Sequence, residues 1–233
     1  MKEIRRSNER GAADHGWLQS RHSFSFADYH DPRHMSFGPL RVINEDRVQA
    51  GAGFGTHSHG DMEIVSYVLE GSLAHKDSTG TSSVIKPGDV QRMSAGTGVS
   101  HSEFNASKSD SVHFLQIWII PEKTGLPPSY EEKHFDPAER RGQLRLIASP
   151  DKADGSVLLH QDVRIFSGLF DGEEHATLEV AGGRHSYIQV ARGAIHVGGL
   201  HLEAGDGLKV TDTGDLEFKE GKSAEVIVFD LPG

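Results

Sequence analysis

Two short clusters of potential metal ligands stand out in the chain. The first is His57-Ser58-His59 and the second is His101-Ser102-Glu103. Alternate residues of a β-strand project from one face, so each cluster would present its two outer side chains together if it lay in a strand. Brought close to each other, the clusters would offer three imidazoles and one carboxylate to a single ion.

This set of nitrogen and oxygen donors suits a divalent transition metal, namely Fe, Mn, Co, Ni, Cu or Zn. Calcium and magnesium prefer ligand shells made of oxygen alone, so the three imidazoles argue against them. A purely structural ion is usually enclosed by four protein ligands without a vacancy. Four ligands on an octahedral metal would leave two positions open for water, O2 or a chelating substrate, which favours catalysis or sensing over a structural role.

A second carboxylate competes for the position of fourth ligand. Glu63 lies an even number of residues after His59, so an unbroken strand would turn both side chains the same way. Gly60-Asp61 is expected to break that strand, so the even spacing does not show that Glu63 and His59 face the same way. Glu103 has the better case because one residue separates it from His101.

The chain contains 15 histidines, so spacing must select among them. His75 and His113 have no paired neighbour, and we expect them in the core or beside the ligands rather than on the metal. Four further histidines of the N-terminal region are expected to serve turns or the surface: His15, His22, His30 and His34.

The segments that carry both clusters follow a β pattern. Short runs rich in β-branched and apolar residues, such as Met62–Leu69 and Val112–Ile120, alternate with glycine turns and with the turn sequence Pro87-Gly88-Asp89. The glycine-rich stretch 51–55 precedes a strand and lacks a following Gly-Lys-Ser/Thr, so it predicts a bend and not a phosphate loop. These signals predict an all-β protein built from antiparallel strands.

A weak internal repeat predicts two domains. Leu69–His75 is similar to Ala191–Val197, and residues 121–143, which hold four prolines and runs of charge, indicate a linker with one short helical turn. We therefore predict an N-terminal metal-binding domain, 1–135, and a C-terminal domain, 136–233. Counting from the repeated glycines places these residues at the C-terminal counterparts of the ligands: Glu179, Ala181, Phe218 and Glu220. No histidine is among them, so the second domain is predicted to be free of metal.

Composition narrows the range of partners. The 24 basic and 34 acidic side chains leave a net charge of −10, which disfavours nucleic acid and anionic membranes. The absence of cysteine excludes disulfides and thiolate metal sites. No apolar run reaches the roughly 18 residues of a membrane helix, and no signal peptide is evident, so a cytoplasmic protein is expected, with a monomer as the default.

The residues around both clusters resemble the two sequence motifs of the cupin superfamily. The first motif is filled by Gly51, His57, His59, Glu63 and Gly71, the last of them one residue late. The second is filled by Gly98, His101 and Asn105, with Gly96 at the position where a proline is expected.

Within the cupins the chain is similar to the pirin family, and in particular to bacterial pirin-like bicupins described as quercetin 2,3-dioxygenases. The similarity extends over nearly the whole chain and includes 15–18, 22–27, 62–71 and 93–98. It implies a bicupin of two antiparallel jelly-roll β-barrels, of which the second holds no metal. It also implies that His57, His59, His101 and Glu103 bind the metal, with Fe(II) as the first expectation and Mn, Ni, Co, Cu or Zn as alternatives.

The activity that this resemblance implies is cleavage of a flavonol by O2 with release of carbon monoxide. Glu103 would then accept the proton of the flavonol 3-hydroxyl as a general base. Two alternatives come from other classes, because a fold is shared among functions. Eukaryotic pirins are described as iron-dependent transcription cofactors, which would make the chain a redox-sensing protein that acts through protein partners, and other cupins are sugar isomerases.

Overall fold

A computed structural model describes residues 1–233 and contains almost no helix: about 60% of the residues lie in strands and 4% in helices. The strands of the first half are β1 (Lys2–Arg5), β2 (Gly11–Asp14), β3 (Leu18–His22), β4 (Leu40–Val48), β5 (Gly53–His59), β6 (Glu63–Glu70), β7 (Leu73–Asp77), β8 (Ser82–Ile85), β9 (Asp89–Ser94), β10 (Val99–Asn105), β11 (Val112–Ile119) and β12 (Ser129–His134). Those of the second half are β13 (Arg145–Ser149), β14 (Val157–Leu158), β15 (Arg164–Gly172), β16 (Ala176–Val180), β17 (Arg184–Val197), β18 (Leu200–Glu203), β19 (Gly207–Val210) and β20 (Gly214–Pro232). One short helix, α1 (Pro137–Arg140), and two 3-10 turns, Ser7–Glu9 and Ala153–Gly155, complete the elements. The predicted all-β class is confirmed.

The chain forms two compact units. The N-terminal unit comprises residues 11–134 and 157–161, and the C-terminal unit comprises residues 1–10, 135–156 and 162–233. The first ten residues thus pack with the C-terminal unit, where β1 pairs antiparallel with β19. We propose the domain bounds 1–135 and 136–233 that the sequence predicts.

The N-terminal unit is built from two antiparallel sheets. Seven strands lie in the order β12-β9-β6-β11-β4-β3-β2, and four lie in the order β5-β10-β7-β8. Each sheet has two edge strands, so the strands do not form one closed ring. Apolar side chains from both sheets share a cluster, which is formed by Leu18, Val48, Val68, Leu73, Ile85, Val112 and Phe114. Burial of these side chains between the sheets stabilises the unit.

The predicted linker contains one further strand. β12 lies within it and pairs antiparallel with β9 at the edge of the seven-stranded sheet. Its charged sequence obscured the strand, but charged side chains are common on edge strands because they face solvent. The predicted helical turn is α1, where the side chain of Asp136 accepts a hydrogen bond from the backbone N–H of Ala138 and Pro137 occupies the first helical position.

The C-terminal unit contains one sheet in which β1, β19, β17, β20, β15 and β13 follow each other, with β16 on β20 and β18 on β17. β17 and β20 are long, with 14 and 19 residues, and irregularities in their register let them bend. Phe218 is fully buried in the apolar cluster of this unit. Across the whole chain, no helix has the length and apolar character that a membrane span requires.

Gly53 allows β5 to approach β10 closely. A Cβ at Gly53 would lie 2.3 Å from the backbone oxygen of Glu103, whereas a Cβ at Gly55 would meet no atom within 4 Å. We expect Gly53→Ala to lower the free energy of unfolding of the metal-free protein by about 2–4 kcal/mol, because the strands must separate. The matched variant Gly55→Ala should change it by less than about 1 kcal/mol. Urea denaturation measures both values, and similar losses in the two variants would contradict the close approach.

Candidate metal centre

The three clustered imidazoles come together on two neighbouring strands. β5 and β10 pair antiparallel with His101 opposite His57 and Val99 opposite His59. The ring centroids of His57 and His101 are 4.5 Å apart, and that of His59 lies 4.8 Å from the first and 4.9 Å from the second. Their candidate ligand atoms all lie within 4.8 Å of one another, so the three nitrogens converge on one point.

His101 lies in surroundings that suit a metal ligand. Its side chain is buried, and neither ring nitrogen has a hydrogen-bond partner. Buried polar atoms are almost always hydrogen-bonded, so two unpaired nitrogens on one ring fit a group that binds there, such as a metal ion.

The second imidazole is oriented for metal binding by the backbone. Nδ1 of His57 lies 2.8 Å from the carbonyl oxygen of Gly55. A carbonyl oxygen only accepts, so Nδ1 carries the proton and donates it. Nε2 of His57 then keeps a free lone pair, which is the form that coordinates a metal.

Burial keeps the imidazoles of His59 and His101 neutral. It lowers the pKa of His59 to about 4, with a smaller contribution from His57. It lowers the pKa of His101 to about 3, again with smaller contributions from its neighbouring histidines. Both rings are therefore deprotonated at neutral pH and have lone pairs to offer a metal.

Glu103 is buried beside this cluster and is held by two side chains. Gln116 Nε2 donates to one carboxylate oxygen at 2.7 Å. Ser66 Oγ lies 3.1 Å from the other and 2.8 Å from Oε1 of Gln116, and its one proton can be donated to either acceptor. Burial raises the pKa of Glu103 to about 7, and the charge of Asp46 adds to the shift, although the two hydrogen bonds oppose it. The carboxyl group can therefore gain or lose a proton near neutral pH.

Glu103 belongs to a second group of potential ligands that overlaps the first. His75, His101 and Glu103 are all buried, and their candidate ligand atoms lie within 4.8 Å of one another. Nε2 of His75 lies 3.0 Å from a carboxylate oxygen of Asp77, while its Nδ1 has no hydrogen-bond partner. His75 thus lies in the core beside the predicted ligands, as the sequence indicated.

The rival carboxylate, Glu63, is engaged elsewhere. Asp61 adopts a left-handed backbone (φ 46°), so β5 and β6 are separate strands in different sheets, as the expected break at Gly60-Asp61 implied. The buried carboxylate of Glu63 accepts a hydrogen bond from the backbone N–H of His160 at 3.2 Å, and Nδ1 of the same residue lies 3.2 Å from it. These contacts direct Glu63 away from the three converging imidazoles.

The other histidines follow the expectation only in part. Nε2 of His113 lies 3.0 Å from a carboxylate oxygen of Glu45, which makes it a core residue with a partner. His22 was expected at a turn or at the surface, yet it is buried on β3. Its Nδ1 lies 2.8 Å from the side-chain oxygen of Asn44.

A row of polar side chains crosses the seven-stranded sheet. Successive register pairs in β3, β4, β11, β6 and β9 join His22, Asn44, Gln116, Ser66 and Gln91. All five side chains are buried, and this polar row meets Glu103 at its centre. Its signal in the sequence is weak and was not recognised: single polar residues inside apolar strands, such as Ser66 in β6.

A cavity of about 350 Å³ opens beside the site. Its wall is largely apolar and includes Leu18, Phe26, Phe54 and Trp118. His57 and Glu103 also line it, so a molecule bound in the cavity would reach the candidate ligands. The ring of Trp118 contributes to this wall, and its buried indole N–H has no hydrogen-bond acceptor.

Comparison with known proteins agrees with this architecture. The Pirin family model matches residues 3–119, and a model described as the quercetinase C-terminal cupin domain matches residues 146–231. The quercetin 2,3-dioxygenase of Escherichia coli (strain K12) is 44% identical over 229 residues, which cover 98% of each chain. A putative quercetin 2,3-dioxygenase of Pseudomonas aeruginosa is 41% identical and covers 99% of this chain and 100% of its own.

Solved structures agree as well. The crystal structure of YhhW from Escherichia coli superposes with a TM-score of 0.96 at 44% identity and covers 100% of this chain and 98% of its own. The structure described as bacterial pirin YhhW in complex with nickel(II) gives a TM-score of 0.94 at the same identity, with 100% of this chain and 99% of that chain covered.

The fold and the two family matches define a protein with two cupin domains. The three converging imidazoles and the buried carboxylate lie in its N-terminal unit. With matches along nearly its whole length, the chain belongs to the pirin family.

Proposed function

We propose that this pirin is a dioxygenase that depends on a divalent metal and cleaves quercetin or a related flavonol with O2, releasing carbon monoxide. The observation that carries the proposal is the pair of unpartnered ring nitrogens on buried His101, where the other imidazoles converge beside a cavity. The proposed metal ligands are His57, His59, His101 and Glu103. The names of the relatives from Escherichia coli and Pseudomonas aeruginosa support the substrate and the reaction class.

Fe(II) is proposed as the metal, and the nickel(II) complex of YhhW makes nickel its first competitor. Mn, Co, Cu and Zn also suit three imidazoles and a carboxylate. When bound, such a metal supplies a Lewis acid that lowers the pKa of a coordinated hydroxyl group and a site at which O2 can be activated.

Glu103 is proposed to take the proton of the flavonol 3-hydroxyl. Burial disfavours the charged form of this carboxyl, so its surroundings favour the uptake of a proton from the substrate. Ser66 and Gln116 each hold one carboxylate oxygen, which fixes the direction in which Glu103 can accept the proton. The apolar wall of the cavity excludes water from the bound flavonol.

The location, the oligomeric state and the partners of the enzyme belong to the same proposal. We propose a cytoplasmic monomer that binds a small molecule and makes no direct contact with nucleic acid. The net charge of −10 supports the last point, because an acidic surface repels phosphate backbones.

The deciding experiment is aerobic turnover of quercetin by protein reconstituted separately with Fe, Mn, Ni, Co, Cu or Zn. Carbon monoxide is measured together with loss of the flavonol, and metal content is determined for each preparation. The metal-free protein is the control for spontaneous oxidation. Full occupancy without carbon monoxide for every metal would refute the proposed activity.

Metal binding is expected to release a proton from Glu103 below neutral pH. At pH 6 this carboxyl is mostly protonated because burial raises its pKa to about 7, whereas His59 and His101, with pKa values of about 4 and about 3, are already neutral. Metal affinity should therefore rise with pH up to about pH 7, by as much as about tenfold per unit.

Calorimetry in buffers of different ionisation enthalpy counts these protons. Wild-type protein should release about one proton more than Glu103→Gln at pH 6 and about the same number at pH 8.5. If wild-type protein and Glu103→Gln release the same number of protons at pH 6 as well as at pH 8.5, Glu103 is already ionised in the metal-free protein.

A further inference from the structure

One side of the cavity carries a polar group that the proposed chemistry does not use. Register pairing places Ser20 opposite Asp46, next to the pair of His22 and Asn44. All four side chains are buried, and all four line the cavity. Because alternate residues of β3 and β4 face the same way, the two pairs form a small polar patch in a wall that is otherwise largely apolar.

Within this patch, Asp46 has an unused acceptor. Ser20 Oγ donates to Oδ1 of Asp46 at 2.5 Å, and the protein provides no hydrogen bond to Oδ2. In the adjacent pair, Nδ1 of His22 lies 2.8 Å from the side-chain oxygen of Asn44 and 3.4 Å from Ser20 Oγ, so this nitrogen has partners within the protein.

The carboxyl group is costly at this position. Burial raises the pKa of Asp46 to about 7, and the charge of Glu45 adds to the shift, although the hydrogen bond from Ser20 opposes it. A buried carboxylate with an open oxygen is stabilised by a ligand that donates a hydrogen bond to it. The surrounding wall contains the flat rings of Phe26, Phe54 and Trp118, which suit a planar aromatic ligand.

We propose that Asp46, held by Ser20, is the residue that selects a substrate with a further aromatic hydroxyl, one other than the hydroxyl that reacts. The ligand class is a planar aromatic compound with several hydroxyl groups, whose additional O–H donates to Oδ2 of Asp46. The inference rests on the proposed function and deepens it, since it names the residue that distinguishes among flavonols. Asp46 is a specificity residue here and takes no part in the reaction.

The test is a set of binding measurements without O2 on the metal-loaded protein. Quercetin is compared with flavonols that each lack one hydroxyl group while keeping the 3-hydroxyl, and quenching of tryptophan fluorescence reports the Kd, because Trp118 lines the cavity. Removal of one particular hydroxyl group, the one that reaches Asp46, should weaken binding to wild-type protein by about tenfold. This is the effect of one hydrogen bond to a charged group. In Asp46→Asn the same removal should change the Kd by less than about threefold, because the uncharged amide, with its oxygen held by Ser20, can offer the ligand hydroxyl only a neutral N–H bond.

Two further variants sharpen the result. Asp28→Asn removes the same charge from an exposed residue that lines the same cavity, so it should keep the tenfold discrimination. Ser20→Ala frees the carboxyl of Asp46 to turn and should lose part of the discrimination, about threefold. It serves as the second test if Asp46→Asn does not fold.

The inference and the proposed function fail in different ways. Suppose that the protein cleaves quercetin but that Asp46→Asn does not alter the effect of removing any hydroxyl group on the Kd. That result would overturn the inference alone. Coupling in the binding experiment without carbon monoxide from any metal form would support the inference and overturn the proposed reaction. Binding of no member of the series to wild-type protein would overturn the inference.

Discussion

Replacing His101 by alanine is expected to remove metal binding and, with it, flavonol cleavage. His101 is the most enclosed of the three imidazoles, and both of its ring nitrogens lack a partner within the protein. It also belongs to both groups of converging ligand atoms, so its loss leaves neither group complete. Metal affinity should fall by at least about 100-fold, more than the loss of a residue that only orients a ligand would cause.

Metal content after dialysis against a weak chelator measures this effect, and carbon monoxide release measures its consequence. His175→Ala is the matched control, because that histidine is exposed and bonds only to the carbonyl oxygen of Glu173. Thermal unfolding of both variants in metal-free form shows whether the fold is retained. A folded His101→Ala protein that still binds one metal ion with wild-type affinity would refute the proposed site.

Glu103→Gln should separate metal binding from catalysis. Glutamine keeps an oxygen that can face the metal, but it cannot accept the proton of the 3-hydroxyl. At saturating metal we therefore expect turnover to fall by about 10² to 10⁴-fold, the usual contribution of a general base. The amide is a weaker ligand than a carboxylate, so metal affinity should fall by a smaller factor, at most about 100-fold.

The same substitution at Glu63 provides the control. Glu63 contacts His160, so Glu63→Gln should reduce stability while leaving metal affinity close to that of the wild-type protein. The comparison uses the ratio of turnover to bound metal for each variant. Equal loss of metal and turnover in Glu103→Gln would make Glu103 a ligand without a role as base.

Several features of this protein follow from local patterns in the sequence. The spacing of His57 with His59 and of His101 with Glu103 identified residues that lie on two paired strands, and the three imidazoles do converge. The break expected at Gly60-Asp61 was also correct, since Asp61 has a left-handed backbone. Alternation along a strand and the conformational demands of turns act over a few residues, so a sequence reveals them directly.

Other features depend on strands that are far apart in the chain. The polar row that holds Glu103 exists only because β3, β4, β11, β6 and β9 are neighbours in the sheet at one register. The contact between Glu63 and His160 joins residues 97 positions apart. The charges of β12 are typical of a linker, and only its pairing with β9 reveals an edge strand.

The sequence alone predicted the all-β class and the presence of two cupin domains, which are confirmed, and it selected four candidate ligands. The tertiary structure alone decided that Glu63 contacts His160, that Asp46 and Glu103 line one cavity and that a polar patch lies in its wall beside the imidazoles. The physical reason is that ligand spacing and turn chemistry are properties of neighbouring residues, whereas the surroundings of a buried carboxyl depend on which strand faces meet. A shift of one residue in register would turn those side chains to the opposite face.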